Sequence, residues 1–338
     1  MEKEHSYGMR FISIWYFGFA LSVSILLIGS WKWSRNYRRP QVSCGLKGAF
    51  SGIVLVIVYN HPLYSSIPLL RKLYSPAFKH IMFCGEKGTS NRTEQSVDYL
   101  YIRKGFFAYA CLARASEKYE DTVGIDGYLL ISDDVLLNYW NFVPFDRKRI
   151  WEGPKVPVTF NGTGVKKKWY FWDSSWGIQK CQKSYNEIIH EARHREDSNS
   201  LTFVKTLKSN GVGQAKCFRG RSDIFYIPRK FSAQFQKLAY IFYKHGVFLE
   251  IAVPTISRML DLESNFVYIP GVYLPGRVND TTVLGSNYFW QVYNKSLHFV
   301  HPLKLNYADG DMNRALLNTW VMDHIETLTR CRSKYTTE

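Results

Sequence analysis

The apolar run Ile53–Val58 is the feature that most constrains the fold of this chain. It contains only Ile, Val and Leu, with Gly52 before it and Asn60-His61 shortly after it. Because no polar residue alternates with the apolar ones, a strand formed by this run is buried on both faces, as strands of parallel sheets are. The run therefore predicts a central strand of a parallel sheet.

Strand and helix patterns alternate after this run. The predicted elements are a helix over Ser65–Tyr74, a strand over His80–Cys84, a helix over Gly105–Tyr119, a strand over Tyr128–Ile131, a strand over Asp223–Pro228 and a helix over Phe231–Tyr243. Such an order predicts an α/β fold, with an open, mainly parallel sheet flanked by helices.

Polar residues follow three of the predicted strands. They are Asn60 with His61, Glu86, and Asp133 with Asp134. Ligands of open α/β sheets bind beyond the carboxyl ends of the strands, so we expect these side chains to converge there.

The adjacent pair Asp133 and Asp134 ends the apolar run Gly127–Ser132. Two ionised carboxylates at the end of a buried strand lose hydration and repel each other. A divalent cation removes both penalties, and Mg²⁺ or Mn²⁺ is commonly held by one or two carboxylates plus the phosphates of a nucleotide. The pair therefore predicts a metal–diphosphate site. The competing interpretation is that one aspartate caps the next helix.

The segment Phe11–Trp31 contains no charged residue and is about as long as a membrane-spanning helix. It predicts a retained anchor, which divides the chain into a tail (1–10), the anchor (11–31), a short basic stem (32–47) and one large domain (48–338). A cleaved signal peptide and a buried soluble helix are the alternatives, but the Trp and Lys residues that follow are atypical of a cleavage site.

Two patterns disagree about the orientation of that anchor. The basic residues after it favour a cytosolic domain by the positive-inside rule. Four glycosylation sequons favour a lumenal domain, and a long domain is translocated despite flanking charge. The sequons begin at Asn91, Asn161, Asn279 and Asn294. We expect a single-pass type II membrane protein with a short cytosolic tail and a lumenal domain.

The formal net charge of +16 favours anionic partners such as nucleotide diphosphates or acidic glycans. The chain has no recognisable nucleic-acid-binding motif, so we expect no nucleic-acid partner. The cysteines do not follow a metal-binding spacing. They are Cys44, Cys84, Cys111, Cys181, Cys217 and Cys331. In an oxidising lumen some of them can pair, whereas Cys84 and Cys111 also fit as buried thiols.

The anchor, the α/β pattern and the stretch Leu129–Val135 with its two aspartates resemble a Golgi glycosyltransferase with the GT-A fold, of the exostosin-like or STELLO-like type. The resemblance implies an Mn²⁺ or Mg²⁺ ion at Asp133 and Asp134, with His301 completing the metal shell. It also implies an acceptor-side carboxylate, for which Glu250 in the apolar run Gly246–Pro254 is the candidate. The spacing departs from Asp-x-Asp, which leaves open which aspartate meets the metal.

Several other residues are candidates with a structural alternative. Lys304 fits as a phosphate clamp or a surface charge, and Asn60, His61 and Glu86 fit as donor ligands. Trp172 and Trp176 fit as acceptor-binding platforms or as packing, and Trp169 belongs to the same cluster. Arg219 and Arg221 fit as contacts to a diphosphate or an acidic acceptor, or as solvated charges. His298 is the alternative to His301, but on a strand the two point to opposite faces.

The sequence thus predicts a metal-dependent glycosyltransferase that moves a sugar from a nucleotide-diphosphate sugar to a glycan or glycoprotein acceptor in the Golgi. Glu250 is its candidate general base if the anomeric centre is inverted. Two alternatives remain. One is a metal-dependent nucleotidyl- or phosphotransferase, although no GxxxxGKS/T loop occurs in the sequence. The other is a non-catalytic Golgi scaffold or chaperone that has kept the fold.

Overall fold

The computed structural model describes residues 41–43, 45–88, 96–153, 169–194, 197–274, 286–306, 310–330 and 332–334. The strands are β1 (Gln41–Ser43), β2 (Ile53–Tyr59), β3 (His80–Gly85), β4 (Val97–Tyr99), β5 (Gly127–Ser132), β6 (Leu136–Leu137), β7 (Trp151–Glu152), β8 (Ile224–Pro228), β9 (Val267–Tyr268), β10 (Gly271–Tyr273), β11 (Phe299–His301) and β12 (Arg332–Lys334). The α-helices are α1 (Ile67–Tyr74), α2 (Tyr109–Lys118), α3 (Tyr170–Asp173), α4 (Ile178–His194), α5 (Ser198–Asn210), α6 (Ser232–His245), α7 (Leu249–Leu260), α8 (Ser286–Val292), α9 (Gly310–Leu316) and α10 (Met322–Thr329).

The chain divides into two compact units. The smaller unit joins Met1–Gly45 to Arg330–Glu338, and within it β1 and β12 pair in antiparallel fashion. The predicted anchor, Phe11–Trp31, lies outside the described residues and stays a prediction. Among the residues that are described, no helix is long and apolar enough to span a membrane.

The larger unit, Leu46–Thr329, is built on a seven-stranded sheet in the order β4-β3-β2-β5-β8-β7-β9. The strands β4, β3, β2 and β5 are parallel, with Val58 of β2 opposite both Cys84 and Ser132. The predicted α/β class with a mostly parallel sheet is therefore confirmed. The strand β8 runs antiparallel to β5, which the sequence pattern did not indicate.

Strand β2 is the centre of the core because both of its faces are covered. All seven of its residues are buried. Alternate side chains of β2 enter opposite clusters, since Val54, Val56 and Val58 pack on one face of the sheet and Ile53, Leu55, Ile57 and Tyr59 on the other. Helices α2, α6 and α7 contribute to the first cluster, and α1 and α10 to the second. This packing explains the uninterrupted apolar run.

A second, three-stranded sheet has the order β10-β11-β6. Strand β6 closely follows the two aspartates, and β11 pairs with it so that Val300 lies opposite Leu136. This pairing carries His301, the last residue of β11, to the carboxyl end of β5. The backbone N–H of Leu303 then donates to the carbonyl oxygen of Asp134 at 2.6 Å.

Two disulfide bonds occur within the described residues of the larger unit. Cys84 of β3 pairs with Cys111 of α2, and Cys181 of α4 pairs with Cys217, which precedes β8. Of the two possibilities left open for Cys84 and Cys111, the disulfide is therefore the one observed. Each bond joins elements that are distant in sequence, and pairing of this kind follows from the tertiary fold.

Candidate functional site

The carboxyl end of the parallel sheet brings together the two aspartates and the polar residues that follow β2. The N–H of Asp133 donates to the carbonyl oxygen of Val58 at 2.8 Å, and the N–H of Asn60 points at Asp133 Oδ1 at 3.4 Å. The end of β2 and the end of β5 are thus tied to each other directly. A cavity of about 150 Å³ opens beside them. Its lining residues are Asn60, His61, Leu63, Lys104, Asp133, Asp134, Leu303, Lys304, Leu305 and Asn306.

The two carboxylates of this cavity are in different environments. Burial raises the pKa of Asp133 well above its ordinary value, and the neighbouring Asp134 contributes to the rise. Burial also acts to raise the pKa of Asp134, but His301 and Lys304 outweigh it and hold that pKa well below its usual range. The surroundings of Asp134 therefore favour its ionised form, whereas those of Asp133 disfavour it.

Asp134 is held between two cationic side chains. Lys304 Nζ contacts its Oδ2, and His301 Nε2 lies 3.2 Å from its Oδ1. Burial acts to lower the pKa of His301, but Asp134 and Asp223 raise it to about 9. His301 is therefore protonated at neutral pH in this state, and it must lose that proton before its Nε2 can bind a metal.

His301 and Asp134 form an ion pair, but their contact does not have the geometry of a hydrogen bond. Oδ1 of Asp134 is buried and has no hydrogen-bond partner among the described residues. Within those same residues, no group of three or more His, Cys, Asp or Glu side chains is arranged to hold a metal ion. Any metal bound here would therefore take its remaining ligands from the substrate or from solvent.

Glu86 does not join the other predicted donor residues. Its carboxylate accepts a hydrogen bond from the N–H of Ile102 at 3.0 Å, and it does not line the cavity. The carboxylate thus supports the backbone of the segment that leads to α2. In the described structure Lys104, from that same segment, reaches the cavity instead.

Gly105 allows this segment to approach Asn60 closely. Its φ of +88° is in the region that favours glycine, and a Cβ atom at this position would lie 2.0 Å from Asn60 Oδ1. The two preceding residues, Arg103 and Lys104, also have positive φ values, of 47° and 54°. The turn that carries Lys104 to the cavity is therefore a tight one that depends on this glycine.

A second recess lies next to Glu250, which is in the first turn of α7. Its lining residues are Trp169, Arg219, Gly220, Arg221 and Glu250, and its volume is about 150 Å³. Burial raises the pKa of Glu250 to about 7, and Asp223 adds to the rise, while Arg221 opposes it. The carboxylate is thus able to accept and release a proton near neutral pH.

His301 and Asp223 connect the cavity of Asp133 and Asp134 to this second recess. His301 Nε2 lies 3.8 Å from Asp223 Oδ1, and the charges of both residues act on Glu250. The centre of the Tyr273 ring lies 5.3 Å from that of the His301 ring and 5.0 Å from the Arg221 guanidinium. The two recesses therefore belong to one electrostatically linked site.

Asp223 and Tyr273 had no signal in the sequence that marked them as site residues. Asp223 precedes β8. Because β8 runs antiparallel to β5, the amino end of β8 lies beside the carboxyl end of β5. The N–H of Ser132 donates to the Asp223 carbonyl oxygen at 2.9 Å. Only knowledge of the strand direction would have placed Asp223 next to the aspartate pair.

The tryptophan candidates are placed differently from one another. Trp172 is only 4% exposed and belongs to the hydrophobic core, so it has little surface to offer a sugar ring. Trp176 packs edge-on against Phe106, with the guanidinium of Arg103 4.5 Å from the centre of its ring. Trp169 is the member of this cluster that lines the recess of Glu250.

His298 is separated from the site and precedes β11. Its ring stacks on Phe145 at 5.0 Å and lies edge-on to Phe142. His301, three residues later, faces Asp134 on the other side. Of the two histidines considered from the sequence, His301 is therefore the one that belongs to the site.

Comparison with known proteins gives a consistent result. Residues 39–218 match the sequence profile described as STELLO glycosyltransferases. Two Arabidopsis thaliana proteins, named "Probable glycosyltransferase STELLO2" and "Probable glycosyltransferase STELLO1", are 24% and 23% identical to this chain over 263 and 259 residues. Each alignment covers 76% of this chain but 30% of the plant protein, so the chain spans about a third of the length of these relatives. Because the profile covers more than half of the sequence and includes both aspartates, the chain belongs to the STELLO glycosyltransferase family.

Proposed function

We propose that this protein is a metal-dependent glycosyltransferase with a GT-A-like fold, which moves a sugar from a nucleotide-diphosphate sugar to a glycan or glycoprotein acceptor. The observation that carries the proposal is the pair Asp133 and Asp134 at the carboxyl edge of the parallel sheet, in a cavity that also contains Lys104 and Lys304. Carboxylates for a cation and ammonium groups for phosphate are the two components that a diphosphate site needs.

The donor set at this edge fits Mn²⁺ or Mg²⁺ better than a softer metal. Asp133 and Asp134 offer carboxylate oxygens, and Asp134 Oδ1 is buried without a hydrogen-bond partner among the described residues. Hard cations of this kind bind through one or two carboxylates and the phosphates of the substrate. When bound, the cation would neutralise charge on the nucleotide diphosphate that leaves.

Side chains of this protein would supply the other contacts to the substrates and the proton transfer. Lys304 and Lys104 would contact the phosphates, and Asn60 and His61 would line the donor side of the cavity. If the anomeric centre is inverted, Glu250 takes the proton of the acceptor hydroxyl while the oxygen of that hydroxyl bonds to the anomeric carbon. The bond from that carbon to the phosphate oxygen breaks, and the nucleotide diphosphate leaves with the electron pair. If the centre is retained, Glu250 is not needed in that role.

We further propose that the catalytic domain acts in the Golgi lumen, held by the segment Phe11–Trp31. The two disulfides support an oxidising compartment, because such bonds are rare where thiols are kept reduced. The sequon at Asn294 is exposed, and its side chain accepts hydrogen bonds from both the N–H and the hydroxyl of Ser296. Endoglycosidase treatment of the full chain from glycosylation-competent cells should shift its band, and an Asn294→Gln variant should show a smaller shift. Absence of any shift, with cytosolic protease sensitivity, would reverse the proposed orientation.

The test of the enzymatic proposal is a binding panel on the purified full-length chain in detergent. Thermal unfolding is measured with UDP- and GDP-sugars, each with Mn²⁺, with Mg²⁺ and with EDTA. A ligand that binds only the folded state raises its stability by about 2.7 kcal/mol at 100 times its Kd. We expect one donor to stabilise the protein only when metal is present. Stabilisation by no donor at all, in a protein that remains folded, would instead favour the non-catalytic scaffold.

A further inference from the structure

We propose that the recess beside Glu250 binds an acceptor sugar that carries a carboxylate, of the uronic-acid class. The sugar ring would lie against Trp169, and its carboxylate would pair with Arg219. This inference rests on the proposed glycosyl transfer and specifies its acceptor. The recess is lined by Trp169, Arg219, Gly220, Arg221 and Glu250.

The charge balance of the recess favours an anion. It contains two guanidinium groups, those of Arg219 and Arg221, and one carboxylate, that of Glu250. Arg221 forms an ion pair with Glu250, since Arg221 Nη1 lies 3.3 Å from Glu250 Oε1. Even with Glu250 ionised, one positive charge at Arg219 is not balanced by a carboxylate among the described residues that line the recess.

Arg219 is placed to receive a ligand. Its guanidinium lies 5.2 Å from the centre of the Trp169 ring, and its Nε is buried without a hydrogen-bond partner among the described residues. A buried donor without a partner is costly, and a carboxylate can accept two parallel hydrogen bonds from one guanidinium. The ring and the guanidinium together present an apolar face next to an anion-binding fork, as a sugar acid requires.

The loop that carries the two arginines is fixed at several points. Cys217 is held by its disulfide to Cys181, and the N–H of Phe218 donates to Thr255 Oγ1 at 2.8 Å. The N–H of Gly220 donates to the carbonyl oxygen of Glu250 at 2.9 Å. The arginines are therefore held in register with the start of α7, and a preorganised loop loses little entropy when a ligand binds.

The diphosphate of the donor is the competing ligand for these arginines. The position of Lys104 and Lys304 argues against it, because both line the separate cavity of Asp133 and Asp134, whereas Arg219 and Arg221 do not. Two cations already serve the donor side. The arginine pair lies on the side of Glu250, where the hydroxyl of an acceptor must be.

The experiment compares two probes that differ only at the C6 carbon, methyl β-D-glucuronide and methyl β-D-glucoside. Their dissociation constants are measured by saturation-transfer NMR on the full-length protein, with and without UDP and Mn²⁺. We expect the glucuronide to bind about tenfold or more tightly than the glucoside, the usual scale for a charge-assisted hydrogen bond. Equal affinity, or no binding of either probe, would overturn the proposal.

Three variants test whether Arg219 is responsible. Arg219→Gln should remove the preference for the glucuronide, and Arg219→Lys should restore only part of it, because lysine lacks the planar fork. Lys205→Gln is the matched control, since it removes one positive charge from an exposed position of α5. It should leave the preference unchanged. Melting temperatures of all three variants identify any loss of binding that comes from unfolding.

The outcomes separate this inference from the proposed function. If a nucleotide sugar binds with metal but the glucuronide binds no more tightly than the glucoside, the acceptor class is wrong and the transferase proposal stands. If the glucuronide binds through Arg219 but no donor binds, the recess is correctly identified and glycosyl transfer is not supported. If UDP with Mn²⁺ displaces the glucuronide competitively, the arginines belong to the donor, and the proposal fails.

Discussion

Arg221 Nη1 lies 3.3 Å from Glu250 Oε1, with the carboxylate side chain only 13% exposed and the arginine side chain 49% exposed. Both residues line the same recess, and the carboxylate is the more buried of the two. Because the guanidinium is half in solvent, it does not fully offset the effect of burial, and the pKa of Glu250 stays raised at about 7. This pairing distinguishes Glu250 from an ordinary structural ion pair, in which both groups remain charged.

The first prediction is that Glu250→Gln reduces turnover by about 10²-fold or more, the usual scale for loss of a general base. The amide keeps the volume and hydrogen-bonding capacity of the side chain, so donor binding should change little. Turnover and donor affinity are measured on the same purified variant. A lower melting temperature with turnover preserved would identify Glu250 as a structural residue instead.

The second prediction concerns the pH dependence of stability. The pKa of Glu250 is raised from 4.5 to about 7 on folding, so the folded state favours its protonated form. The stability contributed by this group is therefore complete below about pH 4.5 and is lost as the pH rises through about 7. Relative to Glu250→Gln, the wild type should lose stability between these values and then reach a plateau.

Melting temperatures of both proteins from pH 4.5 to 8.5 test this second prediction. The groups that act on Glu250, and that titrate or carry charge in both proteins, are Arg221, Asp223, Tyr273 and His301. Subtracting one curve from the other removes most of their contribution. A difference that is constant with pH would mean that the pKa of Glu250 is not raised.

The third prediction is that Asp133→Ala and Asp134→Ala each weaken donor binding by about 10- to 100-fold, because a contact to a charged group contributes about 1.5–3 kcal/mol. EDTA should have the same effect on the wild type. Asp121→Asn is the control, since it removes an exposed carboxylate outside both recesses. Donor binding that is unchanged in EDTA would exclude a metal-dependent site.

The fourth prediction is that Gly105→Ala lowers both stability and donor affinity. The new Cβ would lie 2.0 Å from Asn60 Oδ1, so the side chain of Asn60, which lines the cavity of Asp133 and Asp134, must shift. Gly124→Ala is the matched control, since Gly124 has a similar φ of +83° but no atom within 4 Å of the position that a Cβ would occupy. Both variants should lose about 1–2 kcal/mol from backbone strain. Donor affinity should fall in Gly105→Ala alone. An equal loss of donor affinity in both variants would contradict this account.

The fifth prediction compares the two disulfides. Replacing both cysteines of a pair by alanine should cost about 3–4 kcal/mol in either case by loop entropy, since the bonds span 27 and 36 residues. The pair Cys181–Cys217 also anchors the loop of Arg219, whereas Cys84–Cys111 does not. Acceptor binding should therefore weaken further in the Cys181→Ala/Cys217→Ala variant. Equal acceptor affinity in both double variants, measured well below their melting temperatures, would contradict that role for the loop.

The local pattern of the sequence was sufficient to predict strands β2, β3 and β5 of the parallel part of the sheet, whereas the short strand β4 was not predicted. Strand β2 was predictable because a strand covered on both faces has no polar residues, and Ile53–Val58 has none. The position of Asp133 and Asp134 at the end of β5 followed from the same kind of run. A side chain at the end of a parallel strand lies at the ligand-binding edge whatever the rest of the fold does.

Other features depended on contacts between distant segments. The direction of β8 brought Asp223 to the aspartate pair, and the pairing of β11 with β6 brought His301 there. The carboxylate of Glu86 accepts a hydrogen bond from the N–H of Ile102, and Trp172 is buried in the hydrophobic core. The sequence by itself determined the α/β class, the central strand and the aspartate edge, because these depend on local periodicity and burial. Only the tertiary structure decided the strand directions, the disulfide partners and the residues around Glu250, because each depends on which distant segments come into contact.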